Sequence, residues 1–82
     1  MTKDEILKEV SVLMQDIFEN PTLAISSDSD ASTVTGWDSM RNVKLLLAVE
    51  ERFNIRLKTR EIDRLNNVGG LVDLVIAKCA LD

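Results

Sequence analysis

The chain has 82 residues, 45% of them apolar and 29% charged, with a net charge of −4 and only three aromatics, none of them tyrosine. That length supports one hydrophobic core, here a single domain over 1–82, but not a deep catalytic cleft beside it. Scarce rings point to a core of Leu, Val, Ile and Met carried on helices, and with no histidine and one cysteine a Ser-His-Asp triad and the usual tetrahedral zinc sites are excluded.

A first helix is predicted from Lys3 to Glu19. Thr2 and Glu5 form a T-x-x-E capping box, and Ile6, Val10, Leu13 and Ile17 recur at helical spacing, widened by Leu7, Met14 and Phe18. Asn20-Pro21 is the expected stop, because proline cannot continue the ladder and pushes its predecessor out of the α region. From Thr22 to Asp38 the chain is rich in Ser, Asp and Thr without a sustained period, which reads as a long ordered loop pinned by Leu23, Ile25 and Val34. Connections of this length inside a compact domain tend to be functional, and this one leads to Ser39.

A second helix is expected from Ser39 to Phe53, with Asp38 as its N-cap and Asn54 as its stop. A short helical turn over Arg60 to Leu65 follows Thr59, and a last helix over Val68 to Ala80 follows Asn67, its first turn weakened by Gly69-Gly70. The fold class is therefore all-α: a small bundle of three main helices plus one short helix, with a long loop between the first and second.

Ser39 stands where an amphipathic helix begins. Unpaired backbone N–H groups and the positive end of the helix dipole favour a phosphate there, so a phosphodiester built on its oxygen is electrostatically supported. As a nucleophile in its own right Ser39 is poor, since no group suited to take its proton near neutral pH accompanies it. Asp28, Asp30 and Ser32 open like a calcium loop, but Thr33 stands where Gly is needed and Ser39 where a bidentate Glu is needed; turn formation and solvation explain those acids better. Cys79 lies in an apolar run and reads as a buried small hydrophobe with no chemical role.

Charge is uneven: residues 1–38 sum to −6, residues 39–65 to +3 and residues 66–82 to −1. The basic middle is a solvated helix face; a polyanion would be repelled by the acidic remainder, so nucleic acid is not an expected partner. There is no apolar run of membrane-spanning length and no basic-then-apolar secretory signal, which makes membrane insertion unexpected and a cytoplasmic monomer the default.

The second helix has two apolar faces. Leu45, Leu46, Val49 and Phe53 cluster on one side as a core stripe, while Met40, Val43 and Leu47 fall on another, beside Lys44 and Glu51. Two readings of the second face stand open: a central helix touching neighbours on both sides, or a docking surface on which Met and Leu adapt to partners while Arg41 and Lys44 orient acidic ones.

Gly36-Trp37-Asp38-Ser39-Met40, followed by Val43, Leu45, Leu46, Val49, Glu50, Glu51 and Phe53-Asn54-Ile55, then Asn67-Val68-Gly69-Gly70-Leu71, form an ordered set over nearly the whole length. In these residues the chain resembles the acyl carrier proteins and the similar peptidyl carrier domains. The resemblance implies a carrier and not an enzyme. It implies that Ser39 receives 4′-phosphopantetheine from coenzyme A through a phosphopantetheinyl transferase, with Asp38 helping to position that chemistry. The arm's thiol then holds acyl or aminoacyl cargo as a thioester. Met40, Val43 and Leu47 would meet the transferase and the loading and downstream enzymes.

Against the family's usual pattern, Met40 replaces a leucine and Trp37 a smaller aliphatic residue, and Arg41 and Lys44 stand where carriers of fatty-acid synthesis are acidic. Those charges imply acidic or neutral partner surfaces and a specialised pathway. An unmodified helical adaptor with a carrier-like fold is the competing expectation.

Overall fold

The computed structural model describes residues 2–80. Among them the chain forms four helices and no strand: α1 (Lys3–Ile17), α2 (Ser39–Phe53), α3 (Thr59–Ile62) and α4 (Val68–Ala80). The small all-α bundle expected from the sequence is what forms, with α1 packed against both α4 and α2.

At the start of α1 the Thr2 hydroxyl accepts the Glu5 N–H and the Glu5 carboxylate accepts the Thr2 N–H, closing the capping box. Its end differs from expectation. Ile17 is the last helical residue and Phe18 the cap, two residues short of Glu19, because Glu19 adopts left-handed backbone at φ 53°. Glu19 N–H then bonds Asp16 O at 3.2 Å and Asn20 N–H bonds Gln15 O at 2.9 Å, which satisfies the terminal carbonyls before Asn20-Pro21 is reached.

The α2 boundaries fall as expected, between the Asp38 cap and Asn54, whose φ of 53° suits asparagine better than most residues. The short helix starts earlier than predicted and ends earlier. Lys58, not Thr59, precedes its first turn, and the Glu61 carboxylate accepts the Lys58 N–H at 2.9 Å; beyond Ile62 only a turn remains, Leu65 N–H bonding Ile62 O. The segment between α2 and α3 is held by Glu50 Oε2, which accepts the Leu57 N–H at 2.8 Å, and by burial of Leu57.

Ile6, Val10 and Met14 of α1, Leu45, Leu46 and Val49 of α2, and Val68, Leu71, Val72 and Val75 of α4 make one contiguous core. Each such side chain removed from water contributes roughly 1.5–3 kcal/mol, which sets the bundle against its entropic cost. Cys79 is half-buried at the core's edge, not buried as expected, and packs there as a small apolar group.

The long loop is ordered by its own polar residues. Asp30 Oδ1 accepts from the Ser32 N–H, the Ser32 hydroxyl and the Thr33 N–H, and the Ser29 hydroxyl accepts the Ser26 N–H. Its middle is tied to the start of α4: Val68 N–H bonds Ser29 O and Gly69 N–H bonds Ser27 O, both at 2.8 Å, while Asn67 Oδ1 caps Gly70 N–H. Gly69 is required by this approach, since a Cβ there would lie 2.9 Å from Ser27 O. With Val34 buried and Leu23 and Ile25 packed against the core, the loop delivers Gly36 to the head of α2 along a fixed path.

Candidate functional site

Loop becomes helix at Gly36, whose φ of +88° is a conformation that glycine adopts without strain. Trp37 N–H bonds Val34 O, and Asp38 N–H bonds Gly36 O at 3.0 Å, turning the chain sharply into the extended backbone of the Asp38 cap. Asp38 Oδ1 accepts the Arg41 N–H at 2.9 Å and Oδ2 accepts from Arg41 Nη1 at 3.1 Å, while the same guanidinium reaches Gly36 O at 3.3 Å. The Arg41 backbone N–H first, and then the guanidinium, hold the Asp38 carboxyl below the usual aspartate range. A carboxylate so stabilised is a weak base, which leaves Ser39 without a local proton acceptor.

Ser39 is the first residue of α2 and is exposed. Among the described residues neither its N–H nor that of Met40 has a protein acceptor, since the capping bonds begin at Arg41 N–H and Asn42 N–H. The hydroxyl therefore projects beside two free amides at the electropositive tip of a fifteen-residue helix. A phosphodiester on Ser39 Oγ fits this donor set: anionic oxygens meet free N–H groups, with the Arg41 guanidinium nearby.

The second apolar face of α2 is solvent-exposed: Met40 is 69%, Val43 56% and Leu47 59% accessible, whereas Leu45, Leu46 and Val49 point into the core. Of the two readings left open, packing on both sides is thereby ruled out within the described chain. The basic residues separate as well. Arg41 is paired within its own turn to Asp38, whereas Lys44 is exposed and has no ion pair among the described residues. Asp38, Ser39 and Arg41 thus form one cluster, and Met40, Val43, Lys44 and Leu47 face outward along the helix below it.

Two features were not anticipated. A cleft of about 460 Å³ opens beside Ser39, walled by Trp37, Leu45, Leu46, Ile62, Leu65 and Leu71 and rimmed by Asp38, Asn42 and Asn66. Trp37 is also fixed, its ring edge-on to Phe18 at 6.1 Å and its Nε1–H donating to Asn42 Oδ1 at 3.0 Å. A half-buried indole requires an acceptor for its N–H, and that requirement was the available signal for a polar residue one turn into α2.

Residues 8–75 match the family model described as "Phosphopantetheine attachment site". The chain belongs to the acyl carrier protein family. It is 33% identical over 78 residues to the acyl carrier protein of Cyanidium caldarium, covering 95% of this chain and 91% of that protein. To the mitochondrial acyl carrier protein of Saccharomyces cerevisiae it is 34% identical over 79 residues, 92% of this chain and 63% of the relative. The solution structure of the holo acyl carrier protein from Geobacter metallireducens superposes with a TM-score of 0.85 at 27% identity, covering 92% of this chain and 86% of that one.

As a member of the acyl carrier proteins the chain is a carrier and not an enzyme, bears a covalently attached phosphopantetheine, and works with a phosphopantetheinyl transferase and with biosynthetic enzymes. No helix among the described residues is long and apolar enough to cross a membrane. With a mitochondrial protein among the relatives, membership does not fix the cytoplasmic location expected from the sequence.

Proposed function

We propose that Ser39 is the attachment serine and that residues 1–82 act as one monomeric carrier domain for acyl or aminoacyl thioesters in a specialised biosynthetic pathway. The observation that carries the assignment is the exposed Ser39 hydroxyl on the first residue of α2, next to the Asp38 cap and two free backbone amides. In the transfer, Ser39 Oγ forms the new bond to phosphorus as the nucleotide half of coenzyme A departs. The serine proton leaves to the transferase, because no neighbouring side chain of this chain is placed to accept it.

Met40, Val43 and Leu47 form the docking face, with Lys44 supplying a free positive charge and Arg41 bracing Asp38. A lysine beside the apolar patch, unpaired among the described residues and standing where an acidic residue would repel them, suits partner enzymes with acidic or neutral docking surfaces, and this is the support for a pathway other than housekeeping fatty-acid synthesis. The apolar cleft beside Ser39 offers a short cargo shelter from water.

Incubation with coenzyme A and a broad-specificity phosphopantetheinyl transferase tests the assignment. Intact mass should rise by one phosphopantetheine, and Ser39→Ala should abolish the rise while leaving the helical circular dichroism and melting temperature unchanged. A wild-type chain that gains no mass, or a Ser39→Ala chain that still does, removes the reading. Mass analysis of protein purified from its native host with the arm still loaded would identify the cargo.

A further inference from the structure

We propose that Asn42 positions the phosphopantetheine arm, its side-chain nitrogen donating a hydrogen bond to the first amide carbonyl beyond the phosphate. This deepens the reading of Ser39 as the attachment site and rests on it. Three observations meet at this residue.

The first is the locked orientation of the amide. An indole N–H can only donate, so the Asn42 group that faces Trp37 Nε1 at 3.0 Å must be the oxygen, and the NH₂ is turned the other way. Trp37 is itself held by Phe18, which makes the orientation a property of the packed structure and not of one rotamer. The second is placement: Asn42 lines the same cleft as Ser39 and Trp37. Among the described residues Asn42 Nδ2 has no acceptor, and since no buried side-chain polar atom lacks a partner there, that nitrogen is reachable from solvent. The third is reach. Residues three apart on a helix have Cβ atoms about 5–6 Å from one another, so Asn42 faces the near end of an arm rooted on Ser39 and not its distant thiol.

The chemistry of that near end matches. Beyond its phosphate, phosphopantetheine presents a carbon bearing two methyl groups, then a hydroxyl and an amide carbonyl. Leu46 and the Trp37 ring offer an apolar wall for the methyls, and Asn42 Nδ2 offers a donor for the carbonyl. Trp37 and Asn42 thereby seat the base of the arm against the cleft when no partner enzyme is docked, which leaves the thiol end mobile. If Asn42 served only to satisfy the indole, the arm would be indifferent to it.

The test uses isotope-labelled full-length protein, before and after modification, in wild type, Asn42→Asp and Asn42→Ala. Asn42→Asp keeps an acceptor for Trp37 and loses the donor; Asn42→Ala loses both the donor and the Trp37 acceptor without adding charge. In the wild type, modification should shift the Trp37 Nε1–H and Asn42 side-chain cross-peaks and give NOEs from the arm's methyls to Trp37 and Leu46. Both variants should gain the same mass and lose those NOEs. NOEs retained in either variant, or absent from fully modified wild type, would overturn the proposal while leaving Ser39 as the attachment site. Absence of any mass gain in the wild type would overturn both.

Discussion

Arg41 shows how much one side chain's partner decides its role. Sequence alone places it with Lys44 on a docking face, yet its guanidinium lies 3.1 Å from Asp38 Oδ2 and 3.3 Å from Gly36 O. The two basic residues should consequently respond differently to charge reversal. Arg41→Glu sets a carboxylate against Asp38 at the head of α2, so conversion to the modified form by the transferase should slow several-fold. Lys44→Glu leaves that cluster intact, so modification should proceed at the wild-type rate while cargo transfer to acidic partner enzymes falls. Rates of both steps, measured for each variant, check this; unchanged transfer to cognate enzymes in both variants would show that α2 does not meet acidic surfaces. Ser39 and Asp38 were legible in the sequence because capping is local, an aspartate three residues ahead of the N–H that it accepts. The Trp37–Asn42 bond was not, since it spans five residues across a loop-to-helix junction and depends on where Phe18 packs.

Between elements, the contact between the loop and α4 sets opposite expectations for two adjacent glycines. Alanine at either gains up to about 1 kcal/mol of helix propensity. At Gly69 the new Cβ meets Ser27 O at 2.9 Å, a backbone carbonyl that also accepts the Gly69 N–H. It cannot move away without loosening that bond, and overpacking of this kind costs about 1–3 kcal/mol. At Gly70 the nearest atoms, Asn67 Oδ1 at 3.5 Å and Leu65 Cδ2 at 3.7 Å, are at ordinary contact distance. Gly70→Ala should therefore raise the melting temperature, by about 4–8 °C if the full propensity gain is realised, and Gly69→Ala should lower it. Thermal denaturation of the two variants side by side decides the matter, and equal shifts would refute the contact. The two faces of α2 make a similar contrast: Leu45→Ala should cost about 2–5 kcal/mol, while Leu47→Ala, on the exposed face, should stay within about 0.5 kcal/mol. The start of α1 and both ends of α2 could be read from residue type, because Thr2, Asp38 and Asn54 have strong positional preferences. The end of α1 could not, because a glutamate in left-handed backbone carries no compositional mark; nor could the start of α3, which depends on Glu61 folding back to Lys58.

Across the whole molecule, four carboxylates sit at its joints, and hydrogen bonds hold each below its ordinary pKa. The Thr2 backbone N–H and hydroxyl do so for Glu5 at the start of α1, and the Ser32 hydroxyl and N–H for Asp30 in the loop. The Arg41 N–H does so for Asp38 at the start of α2, and the Lys78 ammonium, followed by the Lys58 N–H, for Glu61 where α3 meets α4. A carboxylate whose folded pKa is depressed contributes stability that is fully present above its unfolded value, about 3.9 for Asp and 4.3 for Glu. That contribution is lost as pH falls through the lower folded value. The melting temperature should therefore be flat from neutrality to about pH 5 and then decline as the caps and the loop staple protonate together. Glu5 and Asp38 are exposed and Asp30 and Glu61 half-buried, so each contributes modestly, but their losses coincide. Three of the four depend chiefly on bonds to uncharged donors, so the decline should survive added salt, which would weaken only the ion pairs of Lys78 with Glu61 at 2.7 Å and of Arg41 with Asp38 at 3.1 Å. Replacing Asp30 and Asp38 together by asparagine keeps acceptors at both joints and removes two titrating groups, so it should flatten the acid limb. A wild-type melting temperature that holds steady from pH 5 into the range where carboxylates are protonated would show that these joints owe nothing to their ionised form.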